Sequence, residues 1–326
     1  MRVALFGAGR IGQVHAPNIA AHPDSQLAAV VDPVPAAAEA LASRMGVPVM
    51  TEAEALADPS IDAVVVASST DRHADQVEAA ASAGKAVFCE KPLDLSLDRV
   101  RAVAEHLSRH PVPLMLGFNR RFDPNFRALK ARIEDGTVGQ VELVTLISRD
   151  PGPPPIDYIR RAGGLFRDMM IHDLDLARWL VGAEFEVVAA TGSALVDPEI
   201  GAAGDVDTAA VTLRSEAGVI VSITNSRRAT YGYDQRIEVH GSGGLVAAEN
   251  VRESTVVTAT AEGVRLEKPM HFFLERYAAA YRAEWEAFVG LVTRGEGADS
   301  LPGVEAGLRS LELADRASAL AGVTVG

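Results

Sequence analysis

The segment Val3–Gly12, VALFGAGRIG, constrains the fold of this chain more than any other. A short apolar run is followed at once by Gly7, Gly9 and Gly12, which have the G-x-G-x-x-G spacing, and then by a segment of helical character. In a strand–turn–helix unit, the first two glycines let the backbone turn tightly and approach a pyrophosphate. The third lets the helix pack on the strand. Taken alone, the motif also fits an ordinary glycine turn.

An acidic residue at the end of the second apolar run supports nucleotide binding. Asp32 lies 20 positions after Gly12, and no Arg or Lys follows it in DPVPAA. A carboxylate there accepts hydrogen bonds from ribose hydroxyls and repels a 2′-phosphate, which favours NAD over NADP. The alternative is an aspartate that caps a turn. We therefore predict that NAD binds to the residues of the glycine turn and to this carboxylate: Gly7, Gly9, Arg10, Ile11, Gly12 and Asp32.

The first ~120 residues alternate apolar runs with Ala-rich helical segments. The runs are short and continuous, as in strands buried on both faces of a parallel sheet: Val3–Phe6, Leu27–Asp32, Ile61–Ser68, Ala86–Glu90 and Pro113–Phe118. Segments of helical length lie between them, such as Pro35–Met45, Asp71–Gly84 and Ser96–His110. This alternation predicts a doubly wound, mostly parallel α/β Rossmann domain over residues 1–120.

The pattern changes after about residue 120. A Pro/Gly-rich loop at Asp150–Asp157 precedes a predicted helix at His172–Val181. Strand-like runs then follow without intervening helices: Glu186–Val196, Thr208–Leu213, Gly218–Asn225, Gln235–His240 and Thr255–Ala259. Two helical segments, Leu274–Thr293 and Pro302–Ala321, come last. Strands in series predict a large, mainly antiparallel sheet, and hence an α+β domain over residues 121–326.

Composition excludes several classes of function. The net charge is −13 without a basic stripe, which argues against nucleic acid as a partner. No apolar run reaches the roughly 18 residues of a membrane span. Cys89 is the only cysteine, so neither an intrachain disulfide nor a cysteine-based metal site is possible. The first residues fit a buried strand better than a signal peptide, so we expect a cytoplasmic protein.

Two further loops follow predicted strands. Ser68, Ser69 and Thr70 form a turn that leads into a helix, where Thr70 either caps the helix or contacts the cofactor. His73 is a further cofactor candidate, although a histidine in a first turn is more often on the surface.

The sequence EKP places Glu90 and Lys91 at the end of another strand. Both are candidate cofactor contacts, because ligands bind beyond the carboxyl ends of such strands. Pro92 restricts the backbone that follows the lysine. The ammonium group can then stabilise an alkoxide that forms on a substrate. The alternative is a surface lysine.

The stretch Ile171–Leu180, IHDLDLARWL, combines an apolar stripe with His172, and Asp168 lies four residues earlier. If the helix begins by Asp168, both side chains share one face. The pair fits either a capping acid with a core histidine or a general base, since histidine has an unperturbed pKa of about 6.5. Asp173 is expected in the first turn of the helix, where the helix dipole favours a negative charge. Asp175 is expected to face either the substrate or solvent. A metal held by Asp168, His172 and Asp175 is a third interpretation, but no second His-rich motif completes such a site.

Five features in this order resemble the glucose–fructose oxidoreductase/inositol dehydrogenase/MocA family, and most closely its inositol 2-dehydrogenase branch. They are the glycine motif, Asp32, EKP, GFNRRFDP (117–124) and GGLFRDMMIHDLDLARWLVG (163–182). The resemblance extends to NSRRATYGYDQRIEVHG (225–241) in the second domain. It implies a Rossmann domain followed by a domain with a large open sheet, which commonly forms a homo-oligomer interface, in a tetramer or dimer. The implied reaction oxidises a ring secondary alcohol to a ketone, and the hydride passes to NAD⁺.

The resemblance also implies roles for individual residues. Lys91, Asp168 and His172 are the catalytic candidates, with His172 as base and Lys91 as a polarising or relay group, or the reverse. The substrate candidates are Asn119, Arg120, Arg121, Asp157, Tyr233 and Tyr277. Of the two arginines, one faces the substrate and the other makes a structural ion pair. The alternative role of Asp157 is turn capping, and that of the two tyrosines is core packing. A pyranose dehydrogenase and a non-catalytic NAD-linked sensor are the competing functions.

Overall fold

The computed structural model describes Met1–Val323 and divides the chain into two compact units. Unit 1 comprises Met1–Phe122 and Ala280–Leu311, and unit 2 comprises Asp123–Ala279 and the described residues from Glu312 onward. The sequence-based division at residue 120 differs from this in the last segment, because Ala280–Leu311 packs within unit 1. A helical pattern predicts a buried face but does not reveal which distant strands will cover it.

Unit 1 is built on a five-stranded parallel sheet. Its strands are β1 (Arg2–Phe6), β2 (Gln26–Val31), β3 (Ala63–Val66), β4 (Ala86–Cys89) and β5 (Leu114–Leu116), in the spatial order β2-β1-β3-β4-β5. The helices between them are α1 (Gly12–Ala21), α2 (Pro35–Met45), α3 (Glu52–Ala57), α4 (Thr70–Ser82) and α5 (Leu97–Arg109). The strand order reverses at β1 and β3, so the ligand crevice of such a sheet lies outside the carboxyl ends of these strands.

Local sequence explains where these elements start and stop. Every residue of β3 is buried, as expected for a central parallel strand. Helix α2 has Pro35 in its first turn and ends at Gly46, whose φ of 69° suits glycine in a left-handed C-cap. Helix α5 begins after Ser96, whose hydroxyl accepts the Arg99 N–H. The bounds of α2 are those predicted from the sequence.

Unit 2 contains a six-stranded mixed sheet. The helices and strands of unit 2 are, in chain order, α6 (Pro124–Glu134), β6 (Val141–Arg149), α7 (Ile156–Ile159), α8 (Ile171–Val181), β7 (Phe185–Ser193), α9 (Pro198–Ala202), β8 (Thr208–Ser215), β9 (Ile220–Ser226), β10 (Asp234–Gly241), β11 (Gly244–Ala248), β12 (Val257–Thr260), β13 (Gly263–Leu266) and α10 (Phe273–Arg276). The spatial order of strands in the six-stranded sheet is β11-β10-β6-β9-β8-β7, in which only β6 and β9 are parallel neighbours. The two-part fold predicted from the sequence is confirmed.

Two helices complete the chain. Helix α11 (Ala278–Arg294) lies almost wholly in unit 1, and α12 (Val304–Leu320) runs from unit 1 into unit 2. Within residues 1–323, no helix has both the length and the apolar character that a bilayer-spanning segment requires.

Helix α6 and strands β11 and β13 were not predicted from the sequence, and neither was strand β6. Its inner face carries Val144, Leu146 and Ser148, which are buried. The outer face also carries apolar residues, Leu143 and Ile147, so the polar–apolar alternation that marks a strand is weak here.

The outer face of this sheet bears a row of residues that crosses all six strands. Strand registers place six side chains side by side: Leu245, His240, Leu143, Ile220, Arg214 and Glu186. Three of them are large apolar residues with 39–51% exposure, namely Leu143, Ile220 and Leu245.

Candidate active site

The glycine turn after β1 has the properties that a dinucleotide site requires. Gly7 has a φ of 105°, and a Cβ atom on it would lie 2.3 Å from the Ala67 carbonyl oxygen. A Cβ atom on Gly12 would lie 2.0 Å from the Gly7 carbonyl oxygen, so α1 starts in close contact with the turn. A Cβ atom on Gly9 would meet no atom within 4 Å. The turn therefore leaves open space where a pyrophosphate approaches.

The Asp32 carboxylate links this turn to the end of β2 through hydrogen bonds. One carboxylate oxygen accepts the Ala8 N–H at 2.7 Å, and the other accepts the Val34 N–H at 2.8 Å. This is the turn-capping role considered from the sequence. Each oxygen keeps a second acceptor position, so the same carboxylate also suits a ribose diol. The residues present thus fit NAD.

The loop after β3 lies at the same edge of the sheet. Helix α4 starts at Thr70 and its N-cap residue is Ser69, so the predicted capping role of Thr70 is wrong by one residue. The helical hydrogen-bond pattern includes Thr70 itself and leaves Ser69 as the boundary residue. The Ser68 hydroxyl donates to the Gln76 side chain at 2.7 Å.

His73 joins two of these loops, and the surface position expected for it is wrong. Its side chain is buried, with Nδ1 2.8 Å from the Pro92 carbonyl oxygen and Nε2 3.2 Å from that of Ser68. Burial lowers the pKa of His73, so the ring is neutral near pH 7 and donates from one nitrogen. A first-turn position does not reveal that a neighbouring loop covers the ring.

Lys91 lies two residues after the end of β4 and is half-buried at the carboxyl edge of the sheet. The Lys91–Pro92 peptide bond is cis. The N–H of Glu90 donates to the Val66 carbonyl oxygen at 2.9 Å, which continues the pairing of β3 and β4. The Glu90 carboxylate is engaged with His15, whose Nε2 lies 2.6 Å from Oε1. His15 was missed in the sequence because a histidine inside a helix has no local mark of function.

In unit 2, Asp168 and His172 lie on one continuous helical segment. A π-helical turn at Phe166–Met170 leads directly into α8, so the helix includes Asp168, as the one-face arrangement requires. Such turns are frequent at functional sites. Both side chains are half-buried.

The Asp168 carboxylate has partners that the sequence did not predict. Its Oδ1 accepts the Tyr158 hydroxyl at 2.8 Å, and its Oδ2 lies 3.4 Å from the Arg227 guanidinium. Arg227 is 1% exposed and also lies 3.9 Å from Asp205. Burial raises the pKa of Asp205, although the Leu165 N–H and Arg227 act in the opposite direction. Nothing in the motif containing Arg227 distinguishes a buried arginine from a surface one.

The next two acidic residues are buried, and Asp173 lies in the first turn of α8, as predicted. Asp173 is 1% exposed, and its carboxylate accepts the Ser148 hydroxyl at 2.6 Å and the Asn225 amide at 2.8 Å. Asp175 is buried as well, so it does not face solvent. The sheet covers this side of α8, and the hydrogen bonds of Asp173 anchor the first helical turn to β6 and β9.

The candidate substrate residues fall in different environments. Asn119 and Arg120 are buried in a 3₁₀ turn of unit 1, and Arg121 beside them is half-buried. In unit 2, Asp157 is exposed, and its carboxylate lies 3.5 Å from the Arg160 guanidinium. Their contacts with a substrate stay predictions.

The two tyrosine candidates are core residues of unit 2. Tyr233 and Tyr277 are 5% and 1% exposed, and their rings meet edge to face at 5.9 Å. The Tyr277 hydroxyl donates to Gln235 at 3.2 Å. This packing agrees with the core alternative considered for both.

The metal hypothesis has no support in unit 2. Asp168, His172 and Asp175 do not bring three ligand atoms together. Among residues 1–323, the side chains that do so are His15, Glu90 and Glu284 of unit 1.

Both halves of the chain match models of one protein family. Residues 1–118 match the oxidoreductase family with an NAD-binding Rossmann fold, and residues 126–247 match the GFO/IDH/MocA C-terminal domain. The glycine turn and Asp32 described above lie inside the first match, and Asp168 and His172 lie inside the second.

Full-length relatives agree. The chain is 52% identical to inositol 2-dehydrogenase of Rhizobium meliloti (strain 1021), over 97% of this chain and 96% of that one. It is 49% identical to myo-inositol 2-dehydrogenase of Thermotoga maritima, over 91% and 89%. Among solved structures, a scyllo-inositol dehydrogenase from Lactobacillus casei with bound NAD(H) and scyllo-inositol aligns with a TM-score of 0.91, at 30% identity over 98% and 96% of the chains. The chain therefore belongs to the glucose–fructose oxidoreductase/inositol dehydrogenase/MocA family of NAD-dependent oxidoreductases.

Proposed function

We propose that this chain is a cyclitol dehydrogenase of the inositol 2-dehydrogenase type, which oxidises a ring secondary alcohol to the ketone. The observation that carries the proposal is the 52% identity with an inositol 2-dehydrogenase over 97% of the chain. The Asp168–His172 pair on one helix supports it, since alcohol oxidation requires a proton acceptor. When bound, NAD⁺ supplies the hydride acceptor.

In this proposal His172 takes the hydroxyl proton. Its helix is held in place by Asp173, whose hydrogen bonds to Ser148 and Asn225 anchor α8 to the sheet. Asp168 orients the imidazole and supports its charged form. Asp168 is itself restrained by Tyr158 and Arg227, so its carboxylate has a fixed direction. A preorganised acid–base pair of this kind lowers the cost of the proton transfer.

Lys91 polarises the reacting hydroxyl and stabilises the alkoxide as it forms. Its place at the carboxyl edge of the parallel sheet, after β4, supports this role, because ligands of such sheets bind beyond that edge. The Pro92 ring limits the backbone beside it. An ammonium group in this position favours negative charge on the substrate oxygen.

A substrate screen tests the proposal. Purified protein is mixed with NAD⁺ or NADP⁺ and with myo-, scyllo- or chiro-inositol, glucose or xylose, and the absorbance of the reduced cofactor is followed. We expect turnover of an inositol with NAD⁺, and weaker or no turnover with NADP⁺ because of Asp32. Turnover of aldoses alone would favour a pyranose dehydrogenase. No turnover of any polyol would favour a sensor.

The role of His172 has its own test. We expect His172→Ala to lower kcat by about 10²–10⁴-fold while NADH binding, measured by fluorescence, persists. His110→Ala serves as a control, because His110 is exposed at the end of α5 in unit 1. Turnover near the wild-type rate in His172→Ala would remove this residue from the mechanism, and a matching loss in Lys91→Ala alone would make Lys91 the base.

We also propose that the chain forms a homo-oligomer, a tetramer or dimer, through the open sheet of unit 2. Supporting this, Leu143, Ile220 and Leu245 lie in one row on the outer sheet face, and apolar patches of this kind are typical of subunit contacts. Light scattering after gel filtration should show an oligomer that Leu143→Glu dissociates. A monomeric wild-type protein would refute this. The cytoplasmic location stays a prediction.

A further inference from the structure

Unit 1 encloses a cluster of three ionisable side chains outside the proposed catalytic set. His15 comes from α1, Glu90 follows β4, and Glu284 comes from α11. Their exposures are 0%, 7% and 0%, respectively. Nε2 of His15 lies 2.6 Å from Oε1 of Glu90, and one polar atom of each residue lies within 4.8 Å of the others.

The walls of this cluster are aromatic and exclude water. The His15 ring meets Phe88 edge to face at 5.0 Å and Tyr281 at 5.8 Å. Trp285 closes the same region through its contact with Phe88 at 6.3 Å. On another side, a Cβ atom at Gly117 would lie 3.0 Å from the Glu90 carboxylate, so that carboxylate fills the space left by the glycine.

The environment of Glu284 does not tolerate a second negative charge. Neither of its carboxyl oxygens has a hydrogen-bond partner within residues 1–323, and the side chain is fully buried. Burial, and then the neighbouring Glu90 carboxylate, raise the pKa of Glu284 well above its usual range. The titratable groups beside it are His15 on α1 and Glu90 after β4, and Tyr281 on its own helix packs against the His15 ring.

We propose that Glu284 is a positioning residue that remains a neutral carboxylic acid and shares its proton with the Glu90 carboxylate, which His15 holds from its other side. Because the polar atoms are already within 4.8 Å, rotation about the side-chain bonds of Glu284 brings its hydroxyl to Glu90. The shared proton fixes the backbone after β4, from which Lys91 extends. Only the consequence for Lys91 rests on the proposed function.

Retention of the proton makes stability depend on pH. The folded chain keeps a proton on Glu284 that the unfolded chain releases above a pKa of about 4.3. The stabilisation from neutral Glu284 is therefore complete below that pKa, and it decreases as pH rises towards the elevated folded-state pKa. In this window the folding equilibrium constant falls by up to tenfold per pH unit. Glu284→Gln carries no ionisable proton, so this component is absent from the variant.

The first experiment compares melting temperatures between pH 5 and pH 8. We expect the difference between Glu284→Gln and wild type to shift steadily in favour of the variant as pH rises. Glu39→Gln is the control, because Glu39 is exposed on α2 and should give a constant difference. Parallel curves for Glu284→Gln and wild type would overturn the proposal. So would a stoichiometric metal ion in purified wild type that is lost in Glu284→Gln, since a metal ligand would be ionised. This comparison needs no substrate.

The second experiment tests positioning. Glu284→Leu removes the donor and preserves much of the volume, whereas Glu284→Gln retains an N–H donor. We expect faster hydrogen exchange in the peptide that covers residues 86–93 in the Leu variant but not in the Gln variant. With an active polyol, kcat should fall about tenfold in the Leu variant, with KM for NAD⁺ nearly unchanged, and stay within about threefold of wild type in the Gln variant. Equal exchange in both variants, or equal losses of kcat, would overturn the positioning role. If the Leu variant does not fold, Glu284→Met, which also lacks the donor and fills a similar volume, takes its place in both measurements.

Discussion

Substitution of Gly9 by alanine should separate ligand binding from stability in the glycine turn. A Cβ atom at this position meets nothing within 4 Å, and Gly9 has no left-handed φ. Alanine at a compatible glycine position reduces the entropy of the unfolded chain, so we expect the protein without NAD to be unchanged or stabilised by about 0.4–1 kcal/mol. The open space around Gly9 is thus a property that folding does not require.

Binding of NAD should respond in the opposite direction. The added methyl group occupies the space through which a pyrophosphate reaches the backbone N–H groups. Each hydrogen bond to a charged group contributes about 1.5–3 kcal/mol, so the loss of one weakens NAD binding roughly 10–150-fold. Each tenfold loss of affinity also removes about 1.4 kcal/mol of the stabilisation that saturating NAD gives.

Calorimetric titration with NADH and melting curves with and without NAD measure both effects. Gly12→Ala provides the contrast, because its Cβ atom would lie 2.0 Å from the Gly7 carbonyl oxygen. Backbone must shift to accommodate it, so stability should fall by about 1–3 kcal/mol even without NAD. Wild-type affinity in Gly9→Ala, or a clear loss of stability in that variant without NAD, would refute the assignment of this turn to the pyrophosphate.

Two further predictions concern buried side chains. Arg227→Met removes the cation between Asp168 and Asp205, and breaking a buried ion pair costs about 3–5 kcal/mol. We expect the low end, since Asp168 is partly exposed, with lower kcat and unchanged NADH affinity. Unchanged melting temperature and kcat would contradict this. Trp285→Ala removes a 1% exposed ring that packs on Phe88, so denaturation should show a loss of about 3–5 kcal/mol. A loss below about 1 kcal/mol would show that α11 contributes little to unit 1.

Local signals in the sequence predicted much of unit 1 and the cofactor. Glycines 7, 9 and 12 and Asp32 act through backbone geometry within one turn, and that geometry is encoded by neighbouring residues. The shared face of Asp168 and His172 was predicted only on the condition that the helix begins by Asp168, and the π-helical turn before α8 meets that condition.

Partners that are distant in sequence could not be predicted from one chain. The hydrogen bonds of Asp173 join it to residues 25 and 52 positions away, so its burial has no local mark. The same holds for Glu284, which reaches His15 and Glu90 only after α11 has packed on unit 1. Strand β6 was missed for a different reason, since Leu143 and Ile147 weaken its alternation.

The division of unit 1 between two chain segments has a consequence for biosynthesis. A ribosome that adds about 5–20 residues per second takes roughly 10–30 s to proceed from Phe122 to Ala280. Throughout that interval the nascent Rossmann sheet lacks Trp285 and Phe288, which cover Phe88 in the finished protein. The growing chain therefore exposes an apolar surface that attracts chaperones or other nascent chains, and truncation before α11 leaves that surface permanently uncovered.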